Sequence, residues 1–285
     1  MELTPLTPAI GAEITGVDLA RLDQDALRDI GTAFLEHHVL VFRDQDLSRD
    51  QHKAIGRHFG ELQVHPSKRH LDRRGDPEIF TVKTDGASRR NNGGRWHADV
   101  TCESIPPLGS LLLLTEAPPS GGDTLFANMH LAFETLSAPI RELLQGLTAH
   151  HDGLQDLRWY GSEPKAGQTY PSTTHPVVVD HPETGRPLLF VNEAFTSRID
   201  GLTDAESRGL LDLLFGHIAN NPAIQCRVSW EPGTLTMWDN RCTQHYAVWD
   251  YAPQVRRGER VTICGTARPA GRRGEPGNDV PDCRP

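Results

Sequence analysis

Apolar residues along the chain fall into many short runs, cut by glycine and proline, with a few stretches of helical spacing between them. His38–Phe42, Ile79–Val82, Leu108–Thr115, Asp123–Phe126, Gln225–Trp230, Thr234–Trp238 and Arg260–Thr266 are compact, largely β-branched or aromatic runs and predict strands. Two short runs around Gly11 and Gly16 predict a hairpin at a sheet edge, and Val177–Val179 with Leu188–Val191 predict a second hairpin around Asp180–Arg186. Helical spacing covers Asp25–Glu36 through Leu27, Ile30 and Phe34, and Ser48–Phe59 with Ser48 as N-cap. It returns at His130–Leu136, Pro139–Leu147 and Thr203–Ile218, the last an amphipathic helix through Leu210, Leu211, Leu214 and Phe215. Residues 150–174 carry Gly and Pro with little periodicity and predict a long loop, either a lid over a site or a segment with no role. The pattern predicts a mainly β fold with flanking helices (α+β), built on a double-sheet jelly-roll core. One domain over residues 1–267 is expected, followed by a disordered tail at 268–285, rich in Gly, Pro and charge.

Composition narrows the function classes. The 285 residues, 37% of them apolar, suffice for one large core, and no composition break marks a linker. A net charge of -9 with both signs interspersed argues against a nucleic-acid surface. No apolar run reaches spanning length and the first residues lack signal-peptide features, so a soluble cytoplasmic protein is expected, with no membrane partner. Five cysteines without a C-x-x-C spacing argue against a disulfide framework or a structural zinc site.

The candidate chemistry centres on Arg95-Trp96-His97-Ala98-Asp99-Val100. In a strand, residues two apart face the same way, so His97 and Asp99 would present an imidazole and a carboxylate side by side. The same spacing recurs at His70/Asp72 and His150/Asp152, with His181/Glu183 a near match, but the Gly-rich loop before His97 and the apolar run after it favour His97. A second histidine, His245, completes a 2-His-1-carboxylate set, which suits iron(II) with open positions opposite. The same three ligands would also hold zinc for hydrolysis, and a non-catalytic ligand-binding protein is a further alternative. Arg256 separates these readings. A guanidinium clamps a carboxylate through two parallel hydrogen bonds, as the far end of 2-oxoglutarate requires, and Thr124 would add a hydroxyl. Taken alone, Arg256 also fits a solvated charged loop just before the strand that starts near Arg260.

Four motifs carry a family resemblance: Trp96-His97-x-Asp99-Val100-Thr101, Gly121-Gly122-Asp123-Thr124-Leu125, Leu189-Phe190-Val191-Asn192-Glu193 and Trp238-Asp239-Asn240-Arg241-x-Thr243-Gln244-His245. Together with Ile10-Gly11-Ala12 and Phe59-Gly60-Glu61-Leu62, they resemble the taurine dioxygenase (TauD/TfdA) family over residues 5–268. The resemblance implies a dioxygenase using Fe(II), 2-oxoglutarate and O2, with His97, Asp99 and His245 on iron and Thr124 and Arg256 on 2-oxoglutarate. It also places His65 and Arg260 at the positions that hold taurine's sulfonate, with Phe195 as a further substrate contact. The positions near taurine's amine are Lys68 and Gly93 here, where the family has tyrosine and asparagine. The expected substrate is therefore a small organic anion without an amine, such as a terpenoid carboxylate or another natural-product intermediate, with an alkyl sulfonate or sulfate ester as the alternative. A homo-oligomer accords with the resemblance.

Overall fold

The computed structural model describes residues 1–65, 76–164 and 169–271. Its elements are β1 (Glu2–Pro5), β2 (Ala12–Thr15), α1 (Gln24–His37), β3 (Val39–Phe42), α2 (Arg49–Phe59), β4 (Phe80–Thr84), β5 (Gly109–Glu116), β6 (Thr124–Asn128), α3 (Met129–Glu134) and α4 (Ala138–Leu144). There follow β7 (Thr148–Asp152), α5 (Gly153–Trp159), β8 (Ser172–Pro176), β9 (Val178–Asp180), β10 (Pro187–Leu189), β11 (Thr196–Ile199), α6 (Asp204–Ala219), β12 (Gln225–Val228), β13 (Leu235–Asp239), β14 (Thr243–Ala247) and β15 (Arg256–Ile263).

Seven strands form the main sheet in the order β1-β2-β3-β13-β5-β15-β4. Alternation explains why its central strands read as unbroken apolar runs: both faces are covered. Leu40, Phe42, Leu111 and Leu113 point to one face and pack with Ile30 and Phe34 of α1 and Ile55 of α2. Their neighbours Val39, Val41, Leu112 and Leu114 point the other way, against Phe126, Cys226 and Val228 of the three-stranded sheet β12-β6-β14. The two facing sheets are the jelly-roll core. Helix starts follow local chemistry: Ser48 and Gln51 form a capping box on α2, and Thr203 with Glu206 forms another on α6. α3, α4 and α6 pack with β9 and β10 in a second apolar cluster.

The structure corrects three expectations. Residues 150–174 are not one loop: they hold the end of β7, all of α5 and the start of β8, because Gly153 follows an Asp152 side chain that caps α5 at Leu154 N–H. Arg256 is not in a loop before the last strand but is its first residue. β14, unread in the sequence, carries His245. Of the expected tail, Ala270 accepts a hydrogen bond from Asp180 N–H, and residues 272–285 lie outside the described residues.

Candidate active site

His97 does not sit in a strand. It forms an isolated bridge with His245: each backbone N–H donates to the other's carbonyl, at 3.1 and 2.8 Å, and the rings stand 4.0 Å apart. The chain then turns at Asp99 and Val100, where Val100 takes φ 50°, a costly conformation for a β-branched residue. Asn240 holds this turn. Its Oδ1 accepts from Asp99 N–H at 2.6 Å, and its Nδ2 donates to the carbonyls of Asp99 at 3.0 Å and Pro107 at 3.2 Å. The juxtaposition of His97 and Asp99 thus comes from a bridge and a pinned turn, not from the pleat of a strand.

The ligand atoms of His97, Asp99 and His245 all lie within 4.8 Å of one another. His97 Nδ1 donates to the Arg95 carbonyl at 2.8 Å, which leaves Nε2 as a free lone pair 3.9 Å from Asp99 Oδ1. His245 Nδ1 is buried and has no hydrogen-bond partner among the described residues. Burial pushes His245 well below its ordinary pKa, so it is the neutral imidazole a metal requires. Burial alone would raise the Asp99 carboxyl, but the Arg260 guanidinium beside it holds it ionised and below the usual carboxylate range. Asp99 Oδ1 accepts from Arg260 Nη1 at 2.7 Å and Oδ2 from Ser110 Oγ at 3.2 Å. Two imidazole nitrogens and one carboxylate oxygen fit a divalent metal with open positions, and the orphaned His245 nitrogen is what a missing partner would leave.

The cavity, about 900 Å³ including its open mouth, runs from this triad to Arg256. Arg256 is only 5% exposed. Its Nε donates to the Gly122 carbonyl at 2.9 Å, Nη2 reaches Thr124 Oγ1 at 3.5 Å, and the guanidinium lies over the Trp230 ring. No carboxylate pairs with it among the described residues, and burial lowers its pKa. A buried cation without an anion is expensive, so this end of the cavity is built for an anionic group. Thr124 Oγ1 accepts from both Trp230 Nε1, at 3.0 Å, and Arg256, which leaves its own proton free to donate.

The other predicted residues converge here. Arg260, His65 and Phe195 all line the cavity, with the Arg260 guanidinium and the His65 ring both against Phe80. Phe195 is held by packing with Val100, Cys102 and Ala194. Gly93 takes φ +84°, and a Cβ there would meet His97 Cε1 at 3.1 Å, so both the turn and the close approach to the metal ligand favour glycine. Lys68 lies outside the described residues, as do His70 and Asp72. The rival His181 instead contacts Asp239, at 3.2 Å. Sequence reasoning missed the wall supplied by α5. Asp156 pairs with Arg95 at 3.1 Å, and Tyr160 Oη accepts from Gly93 N–H at 2.9 Å. Once α5 is known, the spacing of Asp156 and Tyr160, one helical turn, is the signal that places both on one face.

The model of the family "Taurine catabolism dioxygenase TauD, TfdA family" matches residues 2–262. The chain is 36% identical over 268 residues to an alpha-ketoglutarate-dependent dioxygenase, cnsM, of Penicillium expansum, covering 88% of this chain and 74% of that one. It is 35% identical over 280 residues to an alkylsulfatase of Acinetobacter baylyi, covering 93% and 85%. A crystal structure of a taurine dioxygenase from Burkholderia xenovorans superposes with a TM-score of 0.81 at 38% identity, covering 96% of this chain and 94% of that one. Among the described residues, no helix is long and apolar enough to cross a membrane. With family, fold and donor set in agreement, the chain belongs to the TauD/TfdA family of iron(II)- and 2-oxoglutarate-dependent dioxygenases.

Proposed function

We propose that this dioxygenase oxidises an unactivated C–H bond of a small organic anion, with a carboxylate substrate favoured over taurine. His97, Asp99 and His245 hold iron(II), and Arg256 with Thr124 holds the distal carboxylate of 2-oxoglutarate. The observation that carries this reading is the buried, carboxylate-free Arg256 in the same cavity as the triad. When bound, the metal and cosubstrate supply the oxidising power with O2. The protein's own residues bind and orient. Arg256 and Thr124 fix one end of the cosubstrate, while Phe126, Leu112 and Trp238 exclude water along the cavity.

Charge balance supports an anionic substrate. Among the described lining residues, Arg256 and Arg260 face a single unshared carboxylate, Asp99, because Asp156 is paired with Arg95. The cavity thus carries one excess positive charge. A divalent metal and the dianion of 2-oxoglutarate cancel each other, so the excess persists in the loaded enzyme. A monoanionic group closes the balance, and taurine is disfavoured on a separate ground: Lys68 and Gly93 stand where the family has tyrosine and asparagine near taurine's amine. Arg260 is placed to take that anion, with His65 and Phe195 as further contacts. A sulfate ester is also a monoanion, and this second reading is favoured by the alkylsulfatase likeness.

The test is succinate release from 2-oxoglutarate in air with iron(II), across a panel of terpenoid and other organic carboxylates, alkyl sulfates, alkyl sulfonates and taurine. Stimulation by carboxylates is expected. Stimulation by sulfate esters or sulfonates alone moves the reading to sulfur scavenging, and stimulation by taurine above all others overturns the preference against an amine.

A further inference from the structure

A second cluster of potential ligands lies outside the cavity. His38 follows α1, His130 is in α3 and Cys242 lies between β13 and β14. A ring nitrogen of each histidine and Cys242 Sγ all lie within 4.8 Å of one another, and the three residues are 6%, 0% and 0% exposed. His130 Nδ1 donates to the Pro187 carbonyl at 2.9 Å, which fixes the tautomer and leaves Nε2 as a bare lone pair. That Nε2 is buried without a hydrogen-bond partner among the described residues, and its ring is oriented as the His97 ring is, by a bond from Nδ1 to a backbone carbonyl. A backbone acceptor orienting the far nitrogen is the usual support of a metal-bound imidazole. The His38 ring lies beside the His130 ring, with centroids 5.3 Å apart.

The neighbouring polar groups are already satisfied, which separates this cluster from an ordinary network. Asp239 takes Arg241 Nε at 2.8 Å, Arg241 Nη2 at 2.6 Å and His181 Nε2 at 3.2 Å. His181 Nδ1 in turn accepts from the backbone N–H groups of Glu183 and Thr184. Within the cluster, the buried ring nitrogen without a hydrogen-bond partner among the described residues is His130 Nε2. Burial lowers both histidines to about 4, so at neutral pH both are free bases.

We propose that His38, His130 and Cys242 form a second metal site that takes a thiolate-binding cation of the zinc class in a structural role. One sulfur and two imidazoles suit zinc, whereas the catalytic set, with a carboxylate and no sulfur, suits iron(II). Binding replaces the thiol proton of Cys242 with the metal and releases that proton to solvent. Asp239, with an oxygen also within 4.8 Å of Cys242 Sγ, is already paired with Arg241, so the charge offered to the metal is that of the Cys242 thiolate. Cysteine spacing gave no sign of this site because its ligands come from three distant segments.

Cobalt(II) is the probe, added to protein stripped of metal by chelation. A thiolate ligand gives an intense near-ultraviolet charge-transfer band that His97, Asp99 and His245 cannot produce. The band is expected in the wild type and in His97→Ala, and it should vanish in Cys242→Ala. His130→Gln should weaken cobalt binding at this site by about 100-fold. A cobalt-loaded wild type without the band overturns the proposal, as does a band that survives in Cys242→Ala. The wild-type measurement decides even if the cysteine variant fails to fold.

Discussion

Arg256 offers the sharpest test of the cosubstrate site, because binding and stability should respond in different ways. Arg256→Met keeps the length and the packing against Trp230 but removes the charge. With 2-oxoglutarate bound, the parent holds a desolvated guanidinium–carboxylate pair, and removing one partner of such a pair costs about 3–5 kcal/mol. At about 1.4 kcal/mol per tenfold, 2-oxoglutarate affinity should fall by roughly a hundred- to a few thousand-fold. Without cosubstrate the cation is unpaired and only 5% exposed, so its loss removes a desolvation penalty along with one hydrogen bond to Gly122. Ligand-free stability should therefore stay within about 1 kcal/mol of the parent or rise. The assay is an anaerobic 2-oxoglutarate titration of the iron(II)-loaded protein, alongside thermal melts with and without cosubstrate. The parent should gain about 2.7 kcal/mol at a hundredfold excess over its dissociation constant, and the variant should gain nothing at that concentration. A variant that binds 2-oxoglutarate within tenfold of the parent would refute the assignment. A large loss of ligand-free stability would instead show that Arg256 serves the fold.

Thr124→Val removes a hydroxyl that can donate to the same carboxylate and leaves Trp230 Nε1 without its acceptor; 2-oxoglutarate affinity should drop about tenfold, read in the same titration. Asn240→Ala frees the Asp99 turn, so iron(II) affinity should fall about 10- to 100-fold in competition with a chelator, and an unchanged affinity would sink the positioning role. His52, 1% exposed and bonded to the Leu111 carbonyl, is held by burial to about 4, below its unfolded value. The unfolded state therefore binds the extra proton, and stability is lost as pH falls from about 6.5 toward 4, by roughly 2 kcal/mol at pH 5 from this residue. In His52→Gln, the difference between urea unfolding at pH 7 and pH 5 should shrink by about that amount, and an unchanged difference would refute the linkage.

The core strands were legible because they are buried on both faces and so read as continuous apolar runs: β3, β5 and β13 appear within a residue or two of their predicted limits. The capped helices were legible through Ser48 and Thr203. What escaped was structure set by non-local partners. β14 contains Gln244, whose amide donates to the Val191 carbonyl, and His245, opposite Phe126; neither polar residue resembles a buried strand until β6 lies beside it. α5 has only seven residues and no apolar stripe, and it exists because Asp152 caps it and Gln155 Nε2 donates to the carbonyls of Glu193 and Ala194. Those partners lie almost forty residues away in sequence, beyond any local pattern.

The placement of Arg256 in a loop was the error with the most consequence for the site, and its correction explains the cavity's design. As the first residue of β15, Arg256 shares a strand with Arg260, and four residues of strand span about 13 Å. Even spacing puts both guanidiniums on the buried face, while Arg257 between them is exposed. Gly258, also on that face, comes so close to β5 that a Cβ would meet the Leu113 carbonyl at 2.7 Å. One strand therefore delivers a cation to each end of the cavity, Arg256 beside Thr124 and Arg260 beside Asp99, with no side chain between them. Their separation is set by the extended backbone of β15, which pairs with β4 from Arg256 to Arg260 and with β5 from Arg257 onward, across a register shift between Arg257 and Gly258. Rigid backbone thus fixes how far apart two anionic groups must lie to be held at once, which a loop carrying the same two arginines could not do.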